Sequence, residues 1–148
     1  MERRLSVIFA ADMVSYSRLM EADEVGTLER QKAHRKDLID PAFEAGKGRI
    51  VKEMGDGILA EFPSVVEAVQ CAVNIQRAMV NREAEVAEDR RIRYRIGINL
   101  GDIVVEGDDI YGDGVNIAAR LEGLSEPGGI CVTRTVFDQV RNLSLIHI

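Results

Sequence analysis

The sequence predicts an α+β domain, an antiparallel or mixed sheet with helices packed mainly on one face. Three observations lead there. The first apolar run, residues 5–11, is near-continuous, as in a strand covered on both faces. Gly55-Asp56-Gly57, set between apolar runs of strand period, is a hairpin signal. Strand and helix periods then follow in the order β-α-α-β-β-α-β-β-α-β-α, with no internal repeat and no low-complexity segment.

The first strand ends at Asp12, which stands at the edge of the core. Basic residues precede this run, but Asp12 interrupts it too soon for the apolar stretch of a signal peptide. Residues 13–20 read as a turn into a short helix, whose Ser15 and Ser17 bring hydroxyls and backbone N–H groups near Asp12. Such helix starts attract anions. Residues 24–45 have helical spacing through Val25, Leu28, Leu38, Ile39 and Phe43, with Pro41 marking a kink or the last turn. His34 lies on this polar helix and reads as solvated rather than as a ligand.

Gly46 and Gly48 end the helix, and the hairpin 48–62 follows. Ser64 with Glu67 forms a capping box for a helix running to about residue 84, with Val65, Val66, Val69, Val73, Ile75 and Met79 on its apolar face. Residues 85–91 are a charged connection. Residues 92–100 alternate as a strand, and 103–106 read as a short return strand. The second half of 107–122 is helical, with Asn116 and Arg120 on one face. Pro127-Gly128-Gly129 turns into a strand at 130–133, and a helix closes at 134–141.

Composition bounds the function. A chain of 148 residues, 46% hydrophobic and 30% charged, is one domain with a core of its own. Its net charge of −6 argues against nucleic acid as a partner, because that binding rests on neutralising phosphates with Lys and Arg. No run approaches the roughly 18 apolar residues of a membrane span. Cys71 and Cys131 fit neither a zinc pattern nor a disulfide framework, and read as buried thiols of a cytoplasmic protein.

Asp12 and Asp56 are expected at the ends of neighbouring strands, where two carboxylates can share a pair of divalent cations and serve phosphoryl transfer. Mg²⁺ suits them, since it takes a few carboxylates and fills its shell with water and phosphate. Taken singly, Gly-Asp-Gly is also an ordinary turn, and Arg120 could equally be a surface residue paired with Glu122.

At this point the chain resembles the catalytic domain of class III nucleotidyl cyclases. The resemblance rests on Phe9-Ala10-Ala11-Asp12-Met13-Val14 with Ser17, on Lys52-Glu53-Met54-Gly55-Asp56, on Arg95-Ile96-Gly97-Ile98-Asn99-Leu100-Gly101, and on Asp109-Ile110-Tyr111-Gly112 running on to Val115-Asn116-Ile117-Ala118-Ala119-Arg120-Leu121. These motifs stand in family order over residues 5–140. The resemblance implies a ferredoxin-like sheet on a βαββαβ core. It implies a metal pair at Asp12 and Asp56 for two Mg²⁺ or Mn²⁺ ions, adenine-selecting residues at Lys52 and Asp109, catalytic residues at Asn116 and Arg120, and phosphate contacts near Ser15 and Ser17. The implied reaction closes ATP to cyclic AMP and pyrophosphate at sites shared across a homodimer.

Two departures accompany it. The segment between Gly101 and Asp109 is short for the family, and the final strand pair bearing a Lys for the triphosphate is missing. The expected domain is therefore residues 1–142, continued in a longer protein, with 143–148 a non-native tail. Two other readings stand beside the cyclase: a silent, nucleotide-binding regulatory domain, and a two-metal enzyme of the palm or diguanylate-cyclase kind. The second leaves Lys52, Asp109, Asn116 and Arg120 without roles.

Overall fold

The computed structural model describes residues 2–142, so the tail at 143–148 lies outside the described residues. The chain forms β1 (Glu2–Met13), α1 (Tyr16–Ala22), α2 (Glu24–His34), α3 (Asp40–Ala45), β2 (Arg49–Met54), β3 (Gly57–Phe62), α4 (Val65–Arg82), β4 (Tyr94–Glu106), β5 (Asp109–Tyr111), α5 (Asp113–Leu124), β6 (Ile130–Val132) and α6 (Arg134–Val140). The strands lie in the order β2-β3-β1-β4-β5, antiparallel throughout, with β6 added parallel to β4. This is the α+β fold expected. β1 is central, bonded to β3 on one side and to β4 on the other.

Alternation along β1 sorts the molecule into two layers. Val7, Phe9, Ala11 and Met13 enter the larger core with residues of α1, α3, α4 and α6. There Phe9, Phe43 and Phe62 meet with ring centroids 5.0–5.5 Å apart. Ile8 and Ala10 face the other way, into a smaller core with Leu59, Ile103, Ile110 and Ala118. Among the described residues only α5 covers that second face, and only in part. The sheet curls around it until its two edges touch: Arg49 of β2 donates to the Asp108 carbonyl at 3.3 Å, and Lys52 Nζ lies 3.2 Å from Asp109 Oδ1.

The structure corrects the sequence reading at five places. No strand break occurs after residue 100; β4 runs through to Glu106, and the return strand is β5. Gly101 is small because α5 crosses it, with Gly114 Cα 3.2 Å from where its Cβ would be, and the turn falls instead at Gly107, whose φ is +62°. The helix expected over 24–45 is interrupted by a π-helical turn at Arg35–Ile39, which absorbs the missing N–H and the bulk of Pro41. His34 is buried at 4% exposure, not solvated. Its Nε2 meets Glu83 at 3.1 Å and its Nδ1 accepts from Arg82 Nε at 2.9 Å. On α4, Val66 is exposed, and Ala68, Cys71 and Ala72 take part in the buried face. The Cys71 thiol is pushed up to about 12 by burial, and Cys131 is only partly covered. Among the described residues no helix is long and apolar enough to cross a membrane.

Candidate active site

Asp12 closes β1 and Asp56 stands in the turn between β2 and β3, so pairing of β1 with β3 sets the two side by side. The Met13 N–H donates to Asp56 Oδ2 at 2.9 Å and ties the hairpin tip to the end of β1. Asp12 is treated differently. Its Oδ1 is buried and receives no hydrogen bond from any N–H or hydroxyl. Arg95, opposite Asp12 on β4, likewise has its Nε buried without an acceptor. Unsatisfied buried groups cost stability and call for a reason, of which a ligand to be met is one; Thr133 Oγ1 is a third such atom, just past the end of β6.

A third acid neighbours Asp12 without joining the pair as a ligand set. Glu122 of α5 lies beside the Asp12 carboxyl. Burial, and after it the Asp12 neighbour, push Glu122 up to about 8. Burial raises Asp12 as well, and Asp56 adds to the rise, while Glu122 and Arg95 oppose it. Neither Glu122 nor Arg95 was assigned a role from the sequence. The signal was present for Arg95, which falls in strand register with Asp12; for Glu122 only the path of α5 reveals it.

The donor set fits Mg²⁺ or Mn²⁺. Among the described residues no three His, Cys, Asp or Glu side chains converge as a full protein cage would need. Two carboxylates, one with an open oxygen, match a cation that keeps water and phosphate in its shell.

Lys52 and Asp109 form the second cluster, at the seam where β2 meets β5. Lys52 Nζ lies 3.2 Å from Asp109 Oδ1 and 5.5 Å from the centre of the Tyr111 ring. The Ile110 N–H donates to Asp109 Oδ1 at 2.7 Å and Lys52 Nζ donates to Oδ2 at 3.4 Å, with Tyr111 beside them. Those bonds, the backbone one first, hold Asp109 below the usual carboxylate range.

The remaining residues are not gathered in. Asn116 and Arg120 are exposed on the outer face of α5 and share no hydrogen bond or ion pair with either cluster. Arg120 does not pair with Glu122, which is turned inward. Ser15 and Ser17 are exposed at the start of α1, and Ser15 takes a left-handed φ of 54° without capping the helix through its hydroxyl.

The profile of the Adenylate and Guanylate cyclase catalytic domain matches residues 2–145. The chain belongs to this family. This cyclase domain is 48% identical over 138 residues to a Rhizobium meliloti (strain 1021) protein named "Putative adenylate cyclase 3", covering 93% of the chain and 24% of that protein. It is 31% identical over 135 residues to an "Adenylate cyclase" of Streptomyces coelicolor (strain ATCC BAA-471 / A3(2) / M145), covering 88% of the chain and 32% of that protein. The chain thus spans about a quarter to a third of the length of these curated relatives. Among solved structures, the adenylate/guanylate cyclase/hydrolase from Silicibacter pomeroyi superposes with a TM-score of 0.89 at 54% identity, over 97% of this chain and 83% of that one.

Proposed function

We propose that the domain is an adenylate cyclase, converting ATP to 3′,5′-cyclic AMP and pyrophosphate at two equivalent sites shared across a homodimer. The observation that carries this reading is the division of labour within one chain. The Asp12/Asp56 pair is assembled, whereas Asn116 and Arg120 point outward from α5 with nothing to act on. A twofold dimer supplies each chain's missing half from its partner.

Asp12 and Asp56 hold the catalytic Mg²⁺ or Mn²⁺ ions, two per site. When bound, these supply acidification of the ribose 3′-hydroxyl and neutralisation of phosphate charge. The hydroxyl oxygen forms a bond to the α-phosphorus, and the bond from that phosphorus to the pyrophosphate oxygen breaks. Arg120 stabilises charge that develops on the transferring phosphate, and Asn116 orients the ribose. Ser15 and Ser17 offer hydroxyls to the phosphates, and the free Nε of Arg95 offers a cation. Lys52 donates to a ring nitrogen of adenine and Asp109 accepts from its exocyclic amine. Guanine reverses that pattern, so ATP is preferred to GTP. A reaction that consumes ATP suits the cytoplasm, where ATP is at hand, and we assign the domain there.

The test is cyclic AMP formation from ATP with Mn²⁺ or Mg²⁺ at several protein concentrations. Specific activity rises with concentration and vanishes in Asp56→Ala. Nucleotide binding without turnover at every concentration would instead make this a silent regulatory member of the family.

A further inference from the structure

Residues 97, 99 and 101 of β4 alternate onto the face that α5 covers. Two of the three are glycine, and the helix backbone crosses both at contact distance. A Cβ on Gly97 would lie 2.5 Å from the Ala118 carbonyl oxygen, and one on Gly101 would lie 3.2 Å from Gly114 Cα. The approach is as close from the helix side, where a Cβ on Gly114 would lie 2.5 Å from the Asp102 carbonyl oxygen. Such packing holds α5 down on the strand. It does little to fix the helix along the strand or about its own axis, because side-chain ridges set the register of a packed helix and these glycines have none.

Asn99, between the two glycines, supplies that lock. It is 3% exposed, and its Nδ2 donates to the Gly114 carbonyl at 3.0 Å. Gly114 is the second residue of α5, so its carbonyl is also the regular partner of the Ala118 N–H, four residues on. The Asn99 bond therefore comes on top of the helix's own ladder. It ties the first turn of α5 to the sheet instead of satisfying an orphan group. The cap position before that turn is Gly112, which has no side chain to hold it. Asn116 and Arg120 follow the tethered residue two and six positions on, exposed on the outer side of the helix.

Resting on the shared-site reading above, we propose that Asn99 is a positioning residue for the reaction: its amide fixes the register of α5 on β4 and so aims Asn116 and Arg120 at the partner's half of the site. Misplacing a reacting group by about 1 Å can cost about 100-fold in rate. The loss falls on kcat, because Arg120 acts on charge that develops during transfer.

Mixed dimers give the test, with the unmutated dimer as control. One chain carries Asp56→Asn and keeps Arg120; the other carries Arg120→Ala and keeps the Asp pair. Each is silent alone, and mixing restores one complete site per heterodimer. Failure to restore activity would overturn the shared-site reading itself, before Asn99 is touched. Asn99→Leu, which keeps the volume and removes the donor, is then placed in one chain at a time. In the chain that keeps Arg120, kcat for cyclic AMP formation falls about 10–100-fold. In the chain that keeps the Asp pair, kcat is unchanged, since the α5 of that chain serves the dead site. A general loss of packing would lower both placements alike, because Ala118 of α5 shares a core with Ile8 and Ala10 of β1, the strand that carries Asp12. Equal losses in the two placements would therefore overturn the proposal, as would no loss in either. Should Asn99→Leu not fold by circular dichroism, Asn99→Asp, which keeps the size and puts an acceptor where the donor was, takes its place with the same asymmetry expected.

Discussion

Asp12 and Glu61 are both carboxylates on the concave face of the same sheet, one at each end, and the chain treats them in opposite ways. Glu61 on β3 is 9% exposed and surrounded by donors. The Ser6 hydroxyl donates to it at 2.6 Å, Arg4 grips both its oxygens at 2.8 and 2.9 Å, and Arg49 adds a bond at 3.1 Å. Burial raises Glu61, but the Ser6, Arg4 and Arg49 bonds outweigh it, and the carboxyl ends below its ordinary value. Asp12 receives no such shell; its Oδ1 is left bare and its pKa rises. The chain satisfies one buried carboxylate completely and leaves another open on the same strand pair, the difference expected if the second is the metal ligand proposed above.

The sharpest way to break this contrast is to neutralise each acid in turn. Asp12→Asn should lower cyclic AMP formation on the order of 10³-fold. Its thermal midpoint, followed by circular dichroism in chelator, should not fall, because an unpaired desolvated charge has been removed. Arg120→Ala should lower kcat on the order of 10³-fold with the fold intact, as for arginines that stabilise phosphoryl transfer. Exchanging Lys52 and Asp109 for residues of the opposite hydrogen-bonding sense should shift the ratio of kcat/KM for ATP and GTP by roughly 10–100-fold and leave metal binding alone.

Glu61→Gln should do the reverse of Asp12→Asn. Urea unfolding should show a loss of about 1–3 kcal/mol, with turnover per folded dimer preserved. A finding that Glu61→Gln silences the enzyme without destabilising it would erase the distinction between the two carboxylates.

The smallest effect concerns pH. His34 is held below its ordinary 6.5 chiefly by burial, against the pull of Glu83. Arg82 donates to Nδ1, which obliges the ring to stay neutral. A depressed histidine contributes stability that is present above 6.5 and lost as pH falls through the lower folded value. Glu61, also depressed, adds a loss of the same sign below about 4.5. Stability measured from pH 7.5 to 5 should therefore decline, and His34→Gln should flatten that slope above pH 5 even if it lowers the plateau.

Much of the fold was legible because its signals are local. The apolar run of β1, the Gly-Asp-Gly hairpin and the Ser64/Glu67 cap are each determined by neighbours in sequence, and Ser64 does accept from the Glu67 N–H at 3.1 Å. What escaped was set by distant crossings. The strand expected to end at residue 100 in fact runs on, and Gly101 is a place where a helix passes over it. His34 looked solvated on a polar helix, because nothing near it in sequence announces Glu83 and Arg82 across the gap to α4. The site divides along the same line. Asp12 and Asp56 are strand-end residues and could be placed from periodicity. Glu122, Arg95 and Tyr111 owe their positions to how α5, β4 and β5 lie against other strands.

Lys52 and Asp109 sit on β2 and β5, the two edges of the sheet, each bonded to a neighbour on one side only. Asp12 sits on β1, bonded on both sides, with a buried core on each face. Exchanging a side chain at an edge disturbs one ladder and a solvent-facing seam; exchanging one at the centre disturbs two ladders and both layers. On the roles proposed above, mutation can therefore explore which base the domain accepts while the phosphoryl chemistry stays fixed. A lineage built on this sheet can retune its choice of second messenger without having to reinvent the catalyst that makes it.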